Sequence, residues 1–76
     1  MSTEFPLTFM HHGETKEVVG VRCDAPARER LIEMGFRKGV RVRLLEADAN
    51  AYTIGVEDRE IRLVPWVASS IYVGED

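Results

Sequence analysis

The sequence predicts a small antiparallel β-barrel that carries a single short helix. Strand-length apolar runs recur with turn signals about every eight to twelve residues, the spacing of small all-β domains. One amphipathic helix, with recognisable start and stop signals, follows the first of these runs. The length of 76 residues, 45% of them hydrophobic, allows one modest core, since chains of this size bury only about 60% of their unfolded surface. No linker, repeat or low-complexity tract marks a boundary, so residues 1–76 are expected to form one domain with its core over residues 7–73.

The opening "FPLTFM" is apolar but carries Pro6, which suits an extended lead-in rather than a central strand. Left in water it would be costly, so it is expected to cover an open barrel end or, as a minority alternative, to meet a partner. "HHGE" reads as a turn and "TKEVVGVRC" as a strand with Val19, Val21 and Cys23 on one face, Gly20 marking a bulge. Asp24 is placed as the N-cap of a helix whose first turn holds Pro26. Ala27, Leu31 and Met34 then form its apolar stripe. Gly35 supplies a left-handed stop, with Phe36 folding back on Leu31 as in a Schellman cap.

"FRKG" reads as a tight turn with Gly39 at its last or left-handed position. It feeds a strand in which Val40, Val42 and Leu44 alternate with Arg41 and Arg43. Asp48 and Asn50 form the next turn. Tyr52, Ile54 and Val56 line one face of the following strand, which pairs through "DR" with a strand placing Ile61 and Leu63 inward. Pro65 cannot donate to a ladder, so "PWVASS" is a turn or one helical turn before a last strand "IYV". The count is one helix and about five strands.

Charge and composition narrow the chemistry. A net charge of −3, with no basic block, argues against gripping a phosphate backbone. "MSTEFPLTFM" has neither a positive leader nor a long apolar run, so no signal peptide or membrane span is expected. The lone Cys23 excludes an internal disulfide, and we read the chain as cytoplasmic. His11, His12 and Cys23 lack metal-ligand spacing, so a solvated turn and a small buried thiol are the favoured readings and no metal or cofactor is expected. No nucleophile–base order, phosphate loop or desolvated carboxylate pair stands out, so no enzymatic activity is expected.

Taken in order, "RERLIEMGFRKGVRVRLLE" and "YTIGVEDREIRLVPWVASSIYV" resemble the FeoA family of small cytosolic proteins that accompany the bacterial ferrous-iron transporter. Leu31, Met34, Gly35, Gly39, Val42, Ile61, Leu63, Ala68, Ile71 and Val73 stand in the places of that family's helix stop, glycine turn and closing segment. Lys38 departs from the pattern, standing where the family usually has proline. The resemblance implies an SH3-like barrel, in agreement with the strand count. It also implies a non-enzymatic adaptor in ferrous iron transport that contacts the cytosolic GTPase or core region of a FeoB-type membrane iron transporter. Such an adaptor acts by favouring one state of its partner.

The candidate partner-binding residues are Trp66, Arg41, Arg43, Phe36, Arg37 and Lys38. Trp66, next to Pro65, either anchors a partner or closes one end of the barrel. Arg28, Arg30, Arg41 and Arg43 concentrate positive charge within a chain acidic at both ends. Two other classes stay open. One is a metal-sensing module, since SH3-like domains also occur in metal-dependent repressors that resemble this family. The other is a small barrel bound to RNA or the ribosome, which the acidic balance counts against.

Overall fold

The computed structural model describes residues 3–74. Its element order is β1 (Glu4–Pro6), a 3-10 turn (Leu7–Phe9), β2 (Thr15–Val21), α1 (Ala25–Met34), β3 (Arg41–Ala47), β4 (Tyr52–Val56), β5 (Arg59–Leu63), α2 (Pro65–Ala68) and β6 (Ile71–Gly74). The strands form one six-stranded antiparallel sheet in the order β1-β6-β2-β3-β4-β5. Register shifts between Val18 and Gly20 in β2, and between Leu44 and Glu46 in β3, interrupt the ladders. Bulges of this kind bend the strand that carries them. One buried cluster gathers side chains from β2, β3, β4, β5 and β6 together with Leu7, Met10, Leu31, Phe36 and Ala68.

The opening segment is more ordered than an extended lead-in. Glu4, Phe5 and Pro6 pair with Gly74, Val73 and Tyr72, so the chain has a sixth strand at the sheet edge, where proline is tolerated. The turn that follows buries Leu7 and Met10 in the core and leaves Phe9 exposed. Leu7 thus joins the core while α2 packs on its turn. Gly13, at φ 86, completes the reversal into β2, where Glu14 N–H donates to His11 C=O.

In β2 the buried residue is Val18, and Val19 does not share the core-packed face of Val21 and Cys23 as expected. The bulge at Gly20 explains the slip: an extra residue reverses the inward–outward phase, so Val18 before it faces the core and Val21 after it packs only partly there, with Cys23.

The helix starts and stops where the residues direct it. Asp24 takes the extended N-cap conformation and Pro26 sits in the first turn, yet the Asp24 side chain makes no cap hydrogen bond, against expectation. Only Leu31 of the anticipated stripe is buried, while Met34 is 38% exposed. At the other end the Schellman cap is complete. Gly35 lies at φ 115, Gly35 N–H donates to Ile32 C=O, and Phe36 N–H donates to Leu31 C=O, each at 3.0 Å. Arg59, arriving from β5, donates to Met34 C=O and so adds a cation to the helix C-terminus, where the dipole favours one.

A Cβ at Gly35 would lie 2.9 Å from Val56 Cγ1, on a backbone L-residues rarely adopt. Gly35→Ala is expected to cost about 2–5 kcal/mol, the left-handed penalty added to overpacking. At Gly39, with φ 94, the turn closes through Val40 N–H to Arg37 C=O, and an added Cβ meets nothing within 4 Å. Gly39→Ala should therefore cost only the conformational share, about 1–2 kcal/mol. Urea denaturation of both variants checks this, and equal losses would contradict the contact with Val56.

The remaining strands follow the alternation. Val42, Leu44, Ile54, Val56 and Leu63 are buried, with Val40, Tyr52 and Ile61 packed against them. Glu57 and Asp58 make the β4–β5 connection, Glu57 in the left-handed region at φ 57. Between β3 and β4, Asn50 and Ala51 N–H groups donate to Asp48 Oδ1 at 2.7 and 2.9 Å. These bonds hold the Asp48 carboxyl below its ordinary value. The support this turn gives is therefore present above the ordinary carboxylate range and lost as pH falls through the lowered value.

Candidate functional site

An open groove of about 1000 Å³ lies between α1 and the β5–α2 corner. Leu31 and Leu63 reach it from the core, and Ala27 and Met34 form its α1 wall. The opposite wall is Val64, Trp66 and Val67. Val64 precedes Pro65 and so takes an extended conformation, at φ −67 and ψ 151. It is 45% exposed.

Trp66 projects from a four-residue helix and is 75% exposed. It therefore does not close the barrel; Ala68 of the same turn is the buried residue. The turn beneath it is firmly held. Ser69 Oγ donates to Trp66 C=O at 2.7 Å and Ser70 Oγ donates to Val67 C=O at 2.6 Å, satisfying carbonyls that a helix end leaves open.

Arginines from three places edge the groove: Arg22 just past β2, Arg30 on α1 and Arg62 on β5. The Arg22 guanidinium lies 4.1 Å from the centroid of the Tyr72 ring and 3.4 Å from Glu4 Oε1. Stacked this way, the cation is oriented before any partner arrives.

The other expected partner-binding residues lie elsewhere. Phe36 is completely buried, because the Schellman contact draws it inward, so its side chain cannot form a surface knuckle. Arg37 is paired with Glu57 at 3.6 Å, and Lys38 is exposed on the turn before β3. Arg41 and Arg43 are exposed on β3, opposite Glu17 and Thr15 of β2. None of these lines the Trp66 groove. Met34, Val64, Arg22 and Arg62 went unnoticed in the sequence as site residues. Arg62 had a signal, since the alternation that turns Ile61 and Leu63 inward turns it outward.

His11 and His12 are exposed, and Cys23 packs half-buried against the core. Among the described residues no three His, Cys, Asp or Glu side chains gather around a common point. His11 N–H donates to Glu14 Oε1 at 2.7 Å, which holds the Glu14 carboxyl below its ordinary value. No described helix is long and apolar enough to cross a membrane.

The groove belongs to a fold already seen in solved structures. The chain resembles the crystal structure of an iron uptake regulatory protein (FeoA), with TM-score 0.85 and 25% identity over 93% of this chain and 95% of that one. It also resembles the solution structure of a FeoA protein from Chlorobium tepidum, with TM-score 0.82 and 20% identity over 90% and 67%. A manganese-dependent transcriptional repressor shares the fold at TM-score 0.89 and 18% identity, covering 100% of this chain and 44% of the repressor. A search of curated proteins by sequence gives no match. A family model described as the FeoA domain matches residues 5–75, from within β1 to beyond the end of β6. By the extent of that match, the chain belongs to the FeoA domain family.

Proposed function

We propose that this chain is a non-enzymatic accessory protein of bacterial ferrous iron transport, and that it works in the cytoplasm by binding the cytosolic region of a FeoB-type membrane iron transporter. The observation that carries the reading is the family match over residues 5–75, joined by likeness to an iron uptake regulatory protein. The physical support is the kind of surface the domain offers. An exposed tryptophan on a firmly held turn, beside an apolar groove, is the pattern of a binding anchor. Arg37, Lys38, Arg41 and Arg43 lie outside the groove and are assigned a lesser part, steering an acidic partner during encounter. Binding of this kind alters the transporter only if its states are bound unequally. A metal-sensing module, one of the two other readings of the sequence, has in its support only the fold shared with the manganese-dependent repressor.

The test is ferrous iron uptake by cells that carry the cognate transporter. Deleting the chain should change the initial uptake rate, and restoring the native protein should return it. Uptake indifferent to the chain would contradict the proposal.

A further inference from the structure

We infer that the Trp66 groove takes an acidic peptide segment bearing an apolar anchor, and that the arginines at its edge select it. The inference rests on reading this groove as the contact surface, and it adds the chemistry of the occupant. The walls are apolar yet open: Trp66, Val64 and Met34 remain 75%, 45% and 38% exposed. Small-molecule sites bury about 70–90% of their ligand. A groove with walls this open encloses a small molecule poorly and suits a chain segment lying across it.

Charge identifies the segment. The chain carries a net −3, but the lining of the groove gathers Arg22, Arg30 and Arg62 with one carboxylate, Asp24; outside the lining, Glu4 pairs with Arg22 at 3.4 Å and Asp48 interacts with Arg62. The three arginines come from separate elements, so the fold and not a local run of sequence brings them together. Arg22 is oriented by Tyr72 and Glu4, and Arg30 has no ion pair among the described residues. Carboxylates flanking a Leu, Ile or Phe anchor would meet guanidinium groups while the anchor packs against Trp66 and Val64. A basic segment would be repelled from the same edge. A nucleic acid would meet a domain that is acidic overall.

The experiment is selection of a random peptide library displayed on phage against the full chain, followed by fluorescence polarisation of the labelled selected peptides. Asp and Glu should be enriched around an apolar residue. The double variant Arg30→Glu/Arg62→Glu should weaken binding by about tenfold or more, and Arg30→Gln/Arg62→Gln by less, in keeping with charge complementarity at an interface edge. Arg30 and Arg62 are both exposed, so the variants keep the core intact, which circular dichroism verifies. Failure to select any peptide, selection without acidic enrichment, affinity indifferent to charge reversal, or displacement of the peptide by single-stranded RNA would each overturn the inference. The probes contain no transporter, so failure here is distinguishable from failure of the proposed transport role.

Discussion

Phe36→Ala should remove a large share of the stability of this domain. Phe36 is the bulkiest of the fully buried side chains and stands at the point where α1 is turned into the core. Truncating a buried phenylalanine costs about 3–5 kcal/mol, because the lost transfer energy is joined by a cavity that the surroundings fill only in part. At about 0.05–0.15 kcal/mol per residue, a domain of 76 residues has only about 4–11 kcal/mol in total. Urea denaturation followed by far-ultraviolet circular dichroism should show a large fall in midpoint or no cooperative transition. A loss below about 1 kcal/mol, the size of an ordinary substitution, would contradict the account of the helix cap.

Trp66→Ala should do the opposite, leaving the fold and removing the binding. Trp66 is 75% exposed, so its loss exposes little core and should change stability by no more than about 0.5 kcal/mol. As the proposed aromatic anchor, it should contribute about 2 kcal/mol or more to binding, a fall in affinity of about thirtyfold. Calorimetric titration with the soluble GTPase region of the proposed transporter partner separates the two effects. A folded variant with undiminished affinity would remove Trp66 from the contact.

The helix stop was legible in the sequence because the constraint is local. Gly35 takes a backbone that other residues resist, and Phe36 follows it at the position where a Schellman cap places an apolar side chain. The turn at Gly39 and the alternation of Val42 and Leu44 were legible for the same reason. β1 was not, because its pairing with β6 joins the two ends of the chain and leaves no local periodicity in three residues. The shared face of Val19, Val21 and Cys23 in the sequence breaks at Val19 because a bulge changes phase without changing residue type.

The candidate site was only half legible. Trp66 beside Pro65 drew notice as an anchor, but the arginines that share its groove stand at positions 22, 30 and 62 and meet only in the folded chain. Conversely, the arginines between residues 28 and 43 form a cluster in sequence that the fold divides. Arg30 reaches the groove while Arg41 and Arg43 stay on β3.

The most direct test of the central claim, that this domain acts by binding a partner through the Trp66 groove, is an amide- and indole-resolved NMR titration with the soluble GTPase region of the cognate transporter, with and without guanine nucleotide. The account predicts shifts at the Trp66 indole and around Arg30, Arg62 and Val64, responsive to nucleotide. Absence of shifts at high concentration, or shifts confined to the Arg41–Arg43 face with Trp66 unmoved, would contradict it.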